Sequence, residues 1–188
     1  GKGIPSYTET IIHVTDKMTV TVTADNINED ATSNLSITLS NPSDGSKAVL
    51  VGNSLTITVT ETWADAVTGG ETKGTLSGTG YNITESPAGT YTITKTDGTP
   101  FPIGTAITGL QYTSAEHRDG SVEFEVSVKN IETGSGVTLV STGNTSINVT
   151  PVIDVVLNAS VVTATGIEDR AVTVGTTTLA NPVKLEIT

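Results

Sequence analysis

Five oxygen-bearing side chains crowd into six residues near the start of the chain: Asp25, Asn26, Asn28, Glu29 and Asp30. They follow directly on the alternating run Val20-Thr-Val-Thr-Ala24, so they stand where a strand ends and a loop begins. Calcium takes about six to eight oxygen ligands in such loops, which makes it the ion this composition suits. The same residues have a plainer use, because Asx side chains in turns accept hydrogen bonds from nearby backbone amides. Their spacing does not match an EF-hand loop. A second acidic pair, Glu168-Asp169, follows the run Val155 to Thr163 and, with Asp154 before it, offers oxygens of the same kind.

A third constellation surrounds the single tryptophan. Glu61 and Asp65 flank Trp63, and a ring beside two carboxylates is suited to stacking a sugar or peptide at a calcium-assisted site. The alternative is a tryptophan that plugs one end of a core. Paired carboxylates also serve glycoside hydrolysis, but that chemistry needs an aromatic-lined cleft, and the chain holds only seven aromatic residues. His13 and His117 are the only histidines, and neither lies in a zinc-binding or serine-nucleophile pattern. Cysteine is absent, which removes disulfides, thiolate metal sites and a cysteine nucleophile. The chain therefore reads as non-catalytic. Asp44, Asp97 and Asp119 each precede glycine and read as turn formers.

The elements that must carry these residues are strands. Thr alone is about a fifth of the chain and, with Val and Ile, dominates the periodic segments, as suits strands with one wet face. Period-two alternation predicts strands over Met18 to Ala24, Leu35 to Leu39, Ala48 to Val51, Leu55 to Val59, Gly80 to Glu85, Thr90 to Thr96, Thr105 to Thr113, Val122 to Val128, Val137 to Ser141 and Thr145 to Val149. Residues 61–80, rich in glycine, are expected to form a long loop with one helical turn at Thr62 to Val67. Asp97-Gly98 is expected to turn a hairpin, and Ser114 to Gly120 to form a polar loop. Frequent turns without helical periodicity point to an all-β antiparallel sandwich of immunoglobulin-like or cadherin-like type.

Twenty acids against nine bases give a net charge of −11. Nucleic acid and anionic membrane surfaces are poor partners for such a chain, since both are bound through basic patches. No run approaches the roughly 20 apolar residues of a membrane-spanning helix. Residues 1–17 read as a lead-in, 18–152 as the sandwich, and 153–188 as a linker with the opening strands of a following repeat, or as strands that pack back on the first domain.

Four segments resemble repeats of the giant calcium-dependent adhesins that bacteria export by type I secretion, the RTX or biofilm-associated adhesins. They are Val20-Thr-Val-Thr-Ala-Asp-Asn-Ile-Asn-Glu-Asp-Ala31, Leu35-Ser-Ile-Thr-Leu-Ser-Asn-Pro-Ser-Asp-Gly45, the stretch from Gly109 to Val128, and Thr165-Gly-Ile-Glu-Asp-Arg-Ala171. The Gly-Gly-x-Gly-x-Asp nonapeptide of RTX β-rolls is absent. The resemblance implies a calcium-stabilised module on the bacterial cell surface, joined to neighbouring adhesin repeats. It extends a binding tip or, through the departure at the Trp63 loop, itself binds a peptide or glycan.

Overall fold

A computed structural model describes residues 16–64 and 73–152, together with the backbone of two short strands further on. The chain divides into two compact units, Gly1–Ile153 and Asp154–Thr188. In the second unit the described part is one antiparallel pair, Val172–Val174 with Thr177–Leu179.

The first unit is all-β. Its strands are β1 (Thr19–Ala24), β2 (Ile27–Asn28), β3 (Thr32–Ser40), β4 (Ala48–Leu50), β5 (Ser54–Trp63), β6 (Thr75–Gly78), β7 (Tyr81–Glu85), β8 (Thr90–Lys95), β9 (Ala106–Thr113), β10 (Gly120–Glu132) and β11 (Thr138–Thr150). They form two sheets in a sandwich-like arrangement. One runs β1-β3-β9-β6, and the other β2-β11-β10-β5-β8-β7 with β4 also paired to β10. Pairing is antiparallel throughout except where β2 runs parallel to β11, Ile27 beside Val149 and Asn28 beside Thr150.

Alternation explains which side chains meet between the sheets. Leu35, Ile37 and Leu39 of β3 and Val122, Phe124, Val126 and Val128 of β10 are all buried, while Glu123 and Glu125 face water. Each fully buried aliphatic side chain contributes about 1.5–3 kcal/mol relative to exposure. Phe124 lies at the centre, edge-on to Tyr112 with ring centroids 5.2 Å apart. The buried face of β10 turns polar at its end, where Ser141 donates to Asn130 Oδ1 at 2.7 Å. Asn130 Nδ2 is buried there without a hydrogen-bond partner among the described residues.

Several local expectations are corrected. Residues 61–63 are not loop or helix: they finish β5, because Glu61 and Trp63 continue its inward-facing register opposite Val122 and Gly120. Within the same glycine-rich stretch, Thr75–Gly78 forms β6 and pairs with β9. Asp97-Gly98 makes a tight turn, with Gly98 N–H donating to Lys95 O at 3.0 Å, but it turns no hairpin, since the next strand, β9, belongs to the other sheet. The loop after β9 is not wholly polar surface, for Ser114, Ala115 and Arg118 are buried. The two runs predicted on either side of Gly143 are one 13-residue strand, β11.

Strand directions place the ends of the first unit. Asp16 N–H donates to Glu132 Oε2 at 3.1 Å, so the described chain enters beside the far end of β10. The chain leaves β11 next to the start of β10, where Val149 pairs with Gly120. Entry and exit are therefore separated by the length of a 13-residue strand, about 40 Å at the usual rise per residue.

Candidate functional site

The acidic loop 25–30 is built where β1 gives way to β2, beside the exit. β3 has an inward alternation that opens with a serine, Ser33, ahead of Leu35 and Ile37. Ser33 Oγ accepts from Asp25 N–H at 3.1 Å and donates to Asp25 O at 2.8 Å, latching the loop's first residue to the sheet. The chain then crosses to the other sheet and lies along the free edge of β11. A bare strand edge presents unpaired amides, and here the loop's side chains receive them. Asn26 Oδ1 accepts from Asn148 N–H at 2.8 Å. Asn28 Oδ1 accepts from the Thr150 hydroxyl at 2.7 Å, and Glu29 N–H donates to Thr150 O at 2.9 Å. Glu29 Oε1 accepts from Val152 N–H at 2.7 Å, past the end of the strand.

Asp30 closes the loop with a φ of 60°, a left-handed turn that Asp tolerates better than most residues. Its Oδ1 accepts from His117 N–H at 3.0 Å, and its Oδ2 lies 3.6 Å from His117 Nδ1. Four of the five predicted oxygen donors are thus engaged with backbone amides, a hydroxyl or an imidazole. These bonds reach β11, its continuation and the loop after β9 rather than the loop's own amides, so they are long-range ties and not the local turn caps of the alternative reading. Among the described residues, no group of three or more His, Cys, Asp or Glu side chains is placed to hold a metal ion. Asp154, Glu168 and Asp169 lie outside the described residues.

Around Trp63 the carboxylate faces inward. Glu61 Oε1 accepts from the Tyr112 hydroxyl at 2.5 Å and from Gly74 N–H at 2.7 Å, tying β5 to the opposite sheet. Burial first, and then the Glu61 hydrogen bond, push the Tyr112 hydroxyl well above its ordinary value. Trp63 is half-buried against the core. Asp65 lies outside the described residues. Of the proposed pair, the described member is a bridge between sheets. Nearby, Lys73 pairs with Glu85, whose Oε1 also accepts from Gly89 N–H at 2.6 Å. On the outer face of the larger sheet, a shallow groove is lined by Ser54, Thr56, Thr92 and Ser127 and by Lys129.

The residues that sequence reasoning missed are the partners: Ser33, His117, Asn148 and Thr150. Only Ser33 carried a signal, as a serine at an inward-facing position of an otherwise apolar alternation. No protein-family model and no curated protein matches the chain.

Three exposed carboxylates are held below their ordinary values. The Lys73 ammonium, then the Gly89 amide, lower Glu85 from 4.5. The Thr99 amide and hydroxyl lower Asp97 from 3.8, and the Ser46 amide lowers Asp44 from 3.8. A depressed folded-state value means that the stabilisation is present above the unfolded value and is lost as pH falls through the folded one. Thermal midpoints are therefore expected to stay level from pH 7 to pH 5 and to drop below about pH 4.5 as these groups take up protons. Melts of the Glu85→Gln, Asp97→Asn, Asp44→Asn triple variant should show a shallower acid limb. An acid limb of unchanged steepness would assign the effect to other groups.

Proposed function

We propose that the chain is a non-catalytic module of a calcium-dependent bacterial surface adhesin, in which the loop 25–30 braces the strand that leads onward to the next repeat. The observation that carries the reading is the seating of Asn26, Asn28 and Glu29 along residues 148–152, which stiffens the exit from the sandwich. The immunoglobulin-like part is supported by the neighbour orders β1-β3-β9-β6 and β5-β10-β11, which follow those of such sandwiches. The place of β6 in the chain, before β7 and β8, departs from that pattern. A fold of Thr-rich strands with a strongly acidic surface suits an extracellular string of repeats, with neighbouring repeats as its partners. A peptide or glycan ligand at the Trp63 loop is the less supported role, because Glu61 is turned to Tyr112.

Calcium enters this reading through the resemblance, which implies Asp154, Glu168 and Asp169 as well as the loop 25–30 as sources of oxygen ligands. Thermal melts of the full chain in millimolar calcium and in chelator test it. An ion that binds only the folded state adds about 2.7 kcal/mol at a hundredfold excess over its Kd, so the midpoint should rise by several degrees. An unchanged midpoint removes the metal and leaves a metal-free structural repeat.

A further inference from the structure

We propose that the edge formed by β1, β2 and β11 is a shear clamp, which lets this unit carry tension between its entry and exit without opening. The inference rests on strand directions and edge contacts, and holds with or without a metal or an adhesive parent. β1 runs away from the entry, and β2 continues in the same direction beside the last residues of β11, to which it is parallel. β11 also runs toward the exit. Tension applied at the two ends then draws β2 toward the entry and β11 toward the exit. Two parallel strands pulled this way slide past each other, and every bond between them is loaded at once. A pair pulled apart from one end instead opens bond by bond, each bearing the load alone.

Three observations make the edge a unit of this kind. First, the ties from Asn26, Asn28 and Glu29 reach Asn148, Thr150 and Val152, every second residue of the exit strand and its continuation, and so span the loaded segment. The one to Val152 is charge-assisted, the stronger class of hydrogen bond. Second, β1 is held in the other sheet along its whole length, from Thr19 opposite Ser40 to Ala24 opposite Leu35, so it shears against β3 under the same load. Third, β1 lies directly against β11, since a Cβ on Gly143 would stand 2.0 Å from the Val20 carbonyl oxygen. The clamp thus joins both sheets at the edge where the load enters and leaves.

The absence of cysteine makes site-specific handles simple to place. In the full chain, the pair Lys17→Cys and Val152→Cys pulls along the strands. The pair Lys17→Cys and Val137→Cys, both at the entry end, peels β1 from β11. Single-molecule measurements at constant load should give a much longer folded lifetime for the first pair than for the second. Asn28→Ala with Glu29→Ala should shorten the lifetime along the strands about tenfold while leaving the peeling lifetime within about twofold. A contact that merely stabilises the fold would shorten both alike. Asn26→Ala alone should show the same directional signature with a smaller change. Equal lifetimes of the parent in the two directions, or equal shortening by the double variant, overturn the clamp.

Discussion

Replacing Gly143 with alanine is expected to cost about 3 kcal/mol of stability and to lower the thermal midpoint of the sandwich by about 10 °C. Gly143 sits in the middle of β11 on its inward side, where β1 crosses closest. The added methyl group would meet the Val20 carbonyl oxygen at 2.0 Å and its carbonyl carbon at 2.7 Å. Both are backbone atoms in a strand held by β3, so no side chain can swing aside to make room. The edge must widen, and with it go the contacts of Val20 with the core. Asn144→Ala, one residue along on the exposed side, serves as the control, with an expected change within about 0.5 kcal/mol. Thermal or urea unfolding of the two variants checks the pair. A Gly143→Ala midpoint within a degree or two of the parent would place β1 farther from β11 than described.

Phe124→Ala is expected to destabilise by about 3–5 kcal/mol. The ring is fully buried and packs edge-on against Tyr112 of the facing sheet, so its removal leaves a cavity at the centre of the sandwich. Tyr112 is held on its other side by Glu61, and strands on both sides of the cavity are locked by ladders. Collapse is restricted, which puts the cost toward the upper part of that range. Glu125→Ala, the next residue on the wet face, should change stability by no more than about 0.5 kcal/mol. Urea titrations should show a lower midpoint for Phe124→Ala with the slope preserved, as for a loss of stability without a change in the surface exposed. An effect below about 1 kcal/mol would contradict the placement of the ring between the sheets.

The two variants act on different parts of the same architecture. Phe124 belongs to the common core, so its loss weakens the unit whatever direction it is stressed. Gly143 belongs to the edge where β1, β2 and β11 meet, so its substitution also bears on how the unit answers tension. Combining Gly143→Ala with Asn28→Ala and Glu29→Ala joins sites at the one edge where β1, β2 and β11 meet, and their effects are not expected to add.

Alternation is a local property of the extended backbone, because successive Cβ atoms point to opposite faces whatever lies around them. For that reason the strands around Leu35 to Leu39 and Val122 to Val128, the all-β class and the inward faces were legible in the sequence. The acidic loop was legible as an unusual density of oxygen atoms at a strand end. What those oxygens bind was not, since the partners of Asn26 and Glu29 lie 122 and 123 residues away. Local pattern also misread the glycines. The run across Gly143 reads in the sequence as two separate strands, and Gly74 and Gly78 as parts of a loop. In the fold Gly143 marks a close approach inside a continuous strand, and Gly78 closes a strand of the smaller sheet. A glycine permits a turn and permits another backbone to come near, and nothing within a few residues says which. For most of the sandwich, the strands and the face of each that must be buried follow from covalent geometry and the cost of wetting apolar surface, so the residues alone carry them. Which edges meet is set by the assembled fold, since strand pairing joins distant residues through backbone groups that every amino acid shares.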